Sequence, residues 1–509
     1  MKTLKKKLEV IADEADKIRT REETQLQKLD WKEYGLKNPY EIVKEFIQEK
    51  GLKLYGGQAL HEHLVKHKKG FYENWEFPDY DVFSPDAWNH AKELANRLYK
   101  MGYLFAEARS SILNDEHHQT YKVGVDMIPM LDLTQVGCSI EKREQKKCDK
   151  CGIKSKHENI CISIFNNIPA VSIKDPSSKT KTPKIFKETF NYSNNKSLYP
   201  NKLFVCSPEW LKSSMYRELS EPMSNPARWP KVGTRLKLFN KFYQTQFHSC
   251  SQKEYNNIVD NKTKKILDFI GDYFKNKNFI HYGATAHNFF IKNTKSHGKL
   301  NVSDYKVYVI NNTGAYKLLD ILKKKFKSNN FKIYQRQLYW KEHDDVETIL
   351  TMKTKNNKYK NLATFIESDL CLPYVKYNGI KYATIDRLKY LYYYAKELPD
   401  LFKLTEENPL DYNCLLKELI NAEKQYNKTK KRKKSKFRRF VVKCQGQEIG
   451  KRVINLQNRW FDKLNTIKKT KMYIDKPKKG YLTKVYPLPK EELYLPYKPE
   501  ENYLKKYYK

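Results

Sequence analysis

Apolar residues recur along this chain with two different periods, and the switches between them mark out its elements. Leu4, Leu8, Ile11 and Ala15 stand at helical spacing among charges, so residues 1–37 read as a helical segment that packs on its own domain or pairs with a second subunit. Asn38-Pro39-Tyr40-Glu41 carries a helix start: a capping side chain, a proline at the first helical position and an acid three residues after the cap. That helix is expected to reach Lys50 and to stop at Gly51, which takes up the left-handed conformation. Leu52 to Tyr55 reads as a strand, Gly56-Gly57 as a sharp turn, and Gln58 to Lys66 as a helix. Asp79 and Asp81 then alternate with Tyr80 and Val82, the period of a half-buried strand. Ser84-Pro85-Asp86 opens a further helix that ends at Gly102. A second strand is predicted from Tyr121 to Ile128, with Val123, Val125 and Met127 on one face and Gly124 and Asp126 on the other.

This pattern places chemistry as well as structure. Asp79 and Asp81 project from one strand face, where two carboxylates repel each other unless a cation lies between them. Hard oxygen ligands of this kind suit Mg²⁺ or Mn²⁺. Asp126 offers a third carboxylate beside a residue, Gly124, too small to obstruct a ligand. A strand, a glycine turn and a helix start together favour an anion, because free amides and the helix dipole both attract phosphate. An ordinary tight turn is the alternative for the glycine pair alone. Three acids facing a phosphate-binding turn are what two-metal phosphoryl-type transfer requires.

Composition narrows the partners. The 509 residues are enough for roughly two to four domains. Lys and Arg number 98 against 59 acids, a formal charge of +39 that calls for a polyanion. The 38 tyrosines, in a chain that is 14% aromatic, add faces on which unpaired bases stack, although an AT-rich genome inflates the same residue types. No apolar run approaches the roughly 18 residues that a membrane span needs. The amino terminus lacks the apolar core of a secretory signal. Nine cysteines, an odd count, suggest free thiols in a reducing compartment.

Further along, Cys148, Cys151, His157 and Cys161 form a cluster that reads either as a tetrahedral Zn²⁺ site or as free thiols in a charged insertion. Residues 171–202 are rich in Lys, Ser, Thr, Asn and Pro and read as an exposed loop. Ser207-Pro208-Glu209 opens a helix through Arg217, followed by Arg228, Lys231, Arg235 and Lys237, a solvated basic face or a polyanion contact. The second half then repeats the first: Tyr282 and Arg336 each lie 227 positions beyond Tyr55 and Arg109. A repeat this long is a duplicated domain. The copy keeps Asp304, in the strand that echoes Asp79, but has lost the chemistry, with Ala284 in place of Gly57, Lys306 in place of Asp81, and Thr351-Met352 in place of Asp126-Met127. Beyond residue 405, Lys430, Lys431, Arg432, Lys433, Lys434, Arg438 and Arg439 make a dense basic run, read as a targeting or solvated segment or as a backbone clamp. Residues 481–508, rich in Tyr and Pro, read as an extended tail draped over a core.

Tyr55-Gly56-Gly57, then Asp79-Tyr80-Asp81-Val82-Phe83-Ser84, then a lone Asp126 resembles the nucleotidyltransferases of the polymerase-beta-like superfamily. The wording of the motifs is similar to the poly(A) polymerase catalytic subunit of large DNA viruses, the poxvirus, asfarvirus and mimivirus-like group. Pro208-Glu209-Trp210 through Arg228-Trp229-Pro230-Lys231-Val232 points to the giant-virus branch. Gly57 and Asp79 stand farther apart than in compact members, so an insertion is expected near residues 66–75. The resemblance implies an α+β fold. A catalytic nucleotidyltransferase domain over 39–250, with an insertion at 136–202, would precede an inactive nucleotidyltransferase-like copy over 256–405 that walls a cleft, then a basic extension over 406–509. It implies transfer of AMP from ATP to RNA 3′ ends, with Asp79 and Asp81 holding two Mg²⁺ or Mn²⁺ ions and Asp126 the ion beside the 3′-hydroxyl. Gly56, Gly57 and Gln58 would meet the nucleotide. The implied partners are poly(A) and either a second copy of the chain, as a homodimer, or a separate processivity subunit; the implied location is the host cytoplasm and the virion. A CCA-adding or oligoadenylate-type enzyme, or an RNA-binding scaffold without activity, are the alternatives.

Overall fold

The first sheet grows from short strands whose pairing is fixed by which faces must be buried. The computed structural model describes most of residues 36–136, 165–174, 202–250, 260–398, 411–428 and 436–446, together with 185–186 and 497–499. The chain divides into two units, the first built from residues 1–140, 161–206 and 456–509 and the second from 141–160 and 207–455. In the first unit, α1 (Pro39–Glu49) starts as the sequence implies: the Asn38 side chain accepts the Tyr40 amide at 3.0 Å. Gly51 takes φ +60° just past its end. Next come β1 (Lys53–Tyr55), α2 (Gly56–Val65), β2 (Tyr80–Ser84), α3 (Ala87–Lys100), β3 (Ala106–Ser110), β4 (Thr120–Val125) and β5 (Ile128–Gln135). β6 (Ala170–Lys174), β7 (Ile185–Phe186) and β8 (Lys202–Cys206) complete the sheet, in the order β3-β4-β5-β2-β1-β8-β6-β7. Val43, Phe46, Ile47, Leu54, Val82, Ala91, Leu94 and Leu131 are fully buried. One cation joins them: Lys53, whose Nζ donates to the carbonyls of Phe165 at 2.6 Å and Ile168 at 2.7 Å. Burial pulls its pKa down to about 8. Part of the expected extended tail is present, since Tyr497 pairs with Ala108 and its hydroxyl donates to Asn96 at 2.8 Å. The single strand expected over 121–128 ends at Val125, and a new antiparallel strand begins at Ile128.

The second unit begins with α4 (Pro208–Leu219), capped by Ser207, and α5 (Trp229–Phe242). Its repeat runs α6 (Asn261–Lys275), β9 (Ile280–Tyr282), α7 (Gly283–Ile291), β10 (Tyr305–Val309), α8 (Thr313–Phe326), β11 (Phe331–Gln337), β12 (Val346–Lys353) and β13 (Tyr359–Glu367). β14 (Leu372–Tyr377), β15 (Ile380–Ala383), α9 (Ile385–Glu397), α10 (Tyr412–Lys428) and β16 (Cys444–Gln445) follow. The sheet order is β11-β12-β13-β10-β9-β15-β14-β16, the same connection pattern over its first five strands as in the first unit. Arg109 in β3 and Arg336 in β11 occupy corresponding edge strands, as their matched spacing implies.

Two boundaries differ from the sequence expectation. Helices α4 and α5 group with the second unit, not with a catalytic domain reaching residue 250. α4 lies against α9, where Tyr216 stacks on Tyr393 with ring centres 5.6 Å apart and Ser207 Oγ donates to Glu397 at 2.6 Å. The segment from α10 to β16 also packs into this unit, beyond the expected end at 405. Nor are the thiols all free: Cys250 pairs with Cys414 and Cys371 with Cys444, residues that sequence spacing gave no reason to join. Cys206 is buried and keeps its thiol.

The basic run divides. Residues 430–434 lie outside the described residues. Arg438 is exposed. Arg439 instead turns inward, its Nε donating to both carboxylate oxygens of Asp386 at 3.1 and 3.2 Å. Asp386 is 2% exposed, and Lys389 on the same helix pairs with Glu423 of α10. Lys436 donates to the carbonyls of Phe289 and Lys292 at 3.0 and 2.8 Å. Arg439 is therefore a structural cation, and its expected role on RNA gives way to this buried pairing. Removing one partner of a buried pair leaves the other uncompensated, which costs roughly 3 kcal/mol. Arg439→Ala is expected to lower the urea midpoint accordingly, whereas Arg438→Ala should change stability by under about 0.5 kcal/mol. Equal effects of the two substitutions would refute this assignment.

Candidate active site

Asp81 is brought to the centre of the first sheet by two pairings. Antiparallel β1 sets Tyr55 opposite Asp81, and parallel β5 sets Asp132 beside it. Asp79, one residue before β2, joins them, and carboxylate oxygens of Asp79, Asp81 and Asp132 lie within 4.8 Å of one another. Asp126 lies outside the described residues. The third acid gathered here among the described residues is Asp132, which the motif spacing does not single out. Its signal in the sequence is a lone acid inside the apolar run Met130-Leu131-Asp132-Leu133. Only the parallel pairing of strands far apart in sequence shows that it neighbours Asp81.

Their crowding is visible in the electrostatics. Burial, then the charges of Asp79 and Asp132, push the Asp81 pKa up to about 7, against partial relief from Lys122 and the Gly57 amide. Burial also raises Asp132, although Lys122 Nζ donates to its Oδ2. Asp132 Oδ1 is buried with no hydrogen-bond partner among the described residues. Gly56, at φ +70°, opens α2 directly against this cluster: a Cβ there would stand 2.1 Å from Asp81 Oδ2. Only glycine satisfies both the backbone and the approach. A buried oxygen without a donor and three crowded acids suit a divalent cation with oxygen ligands, so the residues present fit Mg²⁺ or Mn²⁺.

Other expected contacts divide. Gly57 gives its amide to Asp81. Gln58 is buried; its Nε2 donates to Glu62 at 3.0 Å along the same helix, and its Oε1 has no hydrogen-bond partner among the described residues. Tyr55 supports the sheet beneath the acids through a 2.7 Å hydroxyl contact with Thr134 and a stack on Phe83. Lys231 and Lys237 are exposed on α5, and Arg228 pairs with Glu218 at 3.3 Å. Cys148, Cys151, His157 and Cys161 lie outside the described residues.

The second sheet repeats the framework with one acid kept, since Asp304 stands one residue before β10 as Asp79 does before β2. Tyr282 faces Lys306, and Lys306 sits beside Thr364. Gly283 has φ +62°, and a Cβ there would come within 3.2 Å of the Lys306 side chain. Thr364 thus occupies the place of Asp132, while Thr351, expected at the place of Asp126, is buried in β12 opposite Lys332. An ammonium at the central position repels a metal ion.

A raised carboxyl pKa has a definite sign in stability. The folded protein holds the Asp81 proton more tightly than the unfolded chain, so metal-free stability falls as pH rises from near 3.8 to about 7. Asp81→Asn removes that loss. The variant is expected to melt above the wild type in chelator once the pH exceeds about 7, with the gap closing toward pH 4. Added Mg²⁺ should raise the melting temperature of the wild type and leave the variant unchanged. A gap independent of pH would contradict the crowding.

Known proteins are similar to parts of this chain. Residues 41–172 match the family model described as the poly(A) polymerase catalytic subunit. A protein of Acanthamoeba polyphaga mimivirus, provisionally named a poly(A) polymerase catalytic subunit, is 34% identical over 96 residues, 18% of this chain and 16% of the mimivirus protein. A protein of the same provisional name from a Kenyan pig isolate of African swine fever virus is 37% identical over 100 residues, 20% of each chain. The alignments thus span no more than a fifth of the curated relatives' length. The crystal structure of the Megavirus polyadenylate synthase superposes with a TM-score of 0.67 at 18% identity, covering 99% of this chain and 86% of that one. In sequence over residues 41–172 the chain resembles the poly(A) polymerase catalytic subunits of large DNA viruses, and over nearly all its length it has the fold of the Megavirus enzyme.

Proposed function

We propose that this chain is a template-independent polynucleotide adenylyltransferase that extends RNA 3′ ends with AMP from ATP. The observation that carries this reading is the cluster of Asp79, Asp81 and Asp132 against the Gly56 turn. In the reaction the 3′-hydroxyl loses its proton to solvent, its oxygen bonds to the α-phosphorus, the bond to the bridging oxygen breaks, and pyrophosphate leaves. Asp79, Asp81 and Asp132 would hold Mg²⁺ or Mn²⁺, which would supply Lewis acidity toward the hydroxyl and the leaving phosphates. Lys122 favours the ionised form of Asp132 and so keeps it a ligand. The amino end of α2 offers its dipole and backbone amides to the triphosphate. In the second unit, Lys306 and Thr364 leave no such ligand set, so that sheet takes no part in the chemistry.

The product has no distinctive sequence, so it is held through backbone charge and base faces. With Arg439 and Lys436 engaged in structure, Lys430, Lys431, Arg432, Lys433, Lys434 and the exposed Arg438 are the part of the basic run left for this role. A second copy of the chain, or a separate subunit, is a further source of such a surface. The reaction belongs where viral transcripts are made, in the host cytoplasm. Among the described residues no helix is long and apolar enough to cross a membrane.

Incubating RNA with each nucleotide separately distinguishes this activity from CCA addition: a long ladder with ATP alone supports it. Asp132→Ala is expected to lower AMP addition by roughly a hundredfold or more with the fold retained. Asp304→Ala should leave the chemical step intact. A folded Asp132→Ala protein with near-normal addition would overturn the proposal. Replacing residues 430–434 with Ser or Gln should shorten the tails and flatten the slope of log affinity against log salt, by roughly 0.7 for each phosphate no longer neutralised. The first AMP addition should be little changed at saturating primer.

A further inference from the structure

The second unit gathers metal-ligand side chains from two distant stretches. His248 and Cys250 form a His-x-Cys pair after α5, and Asp411 and Cys414 form an Asp-x2-Cys pair at the start of α10. The two cysteines are joined as a disulfide across 164 positions. His248 Nε2 lies 2.6 Å from Asp411 Oδ2. Cys414 Sγ lies 3.2 Å from that same oxygen and 3.6 Å from His248 Nε2. Cys250 Sγ is 3.6 Å from the His248 carbonyl.

The surroundings hold these groups in place. Asp411 Oδ1 accepts the amides of Asn413 and Cys414 at 3.0 and 3.1 Å, which leaves Oδ2 facing the cluster. Asn413 Nδ2 lies 2.7 Å from His248 Nδ1, while the buried Asn413 Oδ1 has no partner among the described residues. In this geometry Asn413 Nδ2 donates to Nδ1, and His248 donates its Nε2 proton to Asp411 Oδ2. A cation bound at Nε2 would displace that proton, and turning the Asn413 amide over would then let the unpartnered Oδ1 accept a proton on Nδ1, the arrangement that metal-bound histidines adopt.

We propose that when the disulfide is reduced, His248, Cys250, Asp411 and Cys414 bind one Zn²⁺. With Zn–S of about 2.3 Å and Zn–N and Zn–O of about 2.0–2.1 Å, ligand atoms of a tetrahedral site stand roughly 3.3–3.8 Å apart. The two sulfur distances already approach this spacing, and the His248–Asp411 pair opens by about 1 Å to admit the ion. A dithiol reductant supplies two electrons and two protons to the disulfide and is itself oxidised to a disulfide. Zn²⁺ then displaces the two thiol protons as the thiolate bonds form. The segment after α5 is thereby tied to the start of α10 in either redox state, by a covalent bond or by the metal.

The test uses the full-length chain with Cys148 and Cys151 replaced by serine, which removes the other cysteine cluster. After reduction with a phosphine, this parent should bind one equivalent of Zn²⁺. Co²⁺ in its place should show thiolate charge-transfer and tetrahedral ligand-field bands. Zn²⁺ should raise the melting temperature of the reduced parent. His248→Ala and Asp411→Ala should each lose that equivalent or weaken its binding at least tenfold. Oxidised His248→Ala, which keeps the disulfide, should melt with the oxidised parent, showing that the loss is not a folding failure. A reduced parent without bound metal, or metal bound equally by parent and both variants, would overturn the proposal.

Discussion

Three carboxylates pressed together at the centre of one sheet repel each other, and the first unit is arranged to hold them there. Asp81 bears most of this repulsion, lying between the Gly56 turn and the Asp132 strand with its pKa near 7. Fully buried apolar residues on the neighbouring strands, Leu54, Val82 and Leu131, keep the backbone in register so that the acids cannot draw apart. Gly56 removes the one side chain that would collide with them. Crowding of this sort disfavours the metal-free state and favours a bound cation.

The second unit shows the same framework released from that constraint. The order of the central strands is kept, and even the left-handed glycine at the start of the helix is retained. At the centre, however, Lys306 lies along Gly283 and beside Thr364. The sheet is stabilised by its own core, in which Ile266, Leu318, Leu350 and Phe365 are fully buried, so it does not depend on the acids to fold. Chemistry and architecture are separable here: one pair of substitutions removes the metal ligands and leaves the topology untouched.

That second unit is completed by residues far along the chain. Arg439 reaches Asp386, Cys444 reaches Cys371, and β16 adds a final strand beside β14. Lys389 pairs with Glu423 beneath them, and Arg387 with Glu221 at 2.8 Å. Charges this deeply buried are tolerated only because each has a partner with good geometry. A stretch dense in lysine and arginine thus holds both structural cations and exposed ones, and composition alone does not separate them.

By itself the sequence determined the local elements. The Asn38 cap, the Gly51 stop, the glycine turn before α2 and the alternation around Asp81 follow from backbone preferences and side-chain period, which are properties of neighbouring residues. The duplication was also legible, because a matched spacing such as Tyr55 to Arg109 and Tyr282 to Arg336 survives replacement of Asp81 by Lys306. Tertiary structure alone decided that Asp132 joins Asp79 and Asp81, that Thr364 takes its place in the copy, and that Arg439 pairs with the buried Asp386. It also decided that His248, Cys250, Asp411 and Cys414 meet. Each of these depends on pairing between segments far apart in the chain. Period and propensity carry no record of which distant strand or helix becomes the neighbour, since that is set by how the apolar faces pack.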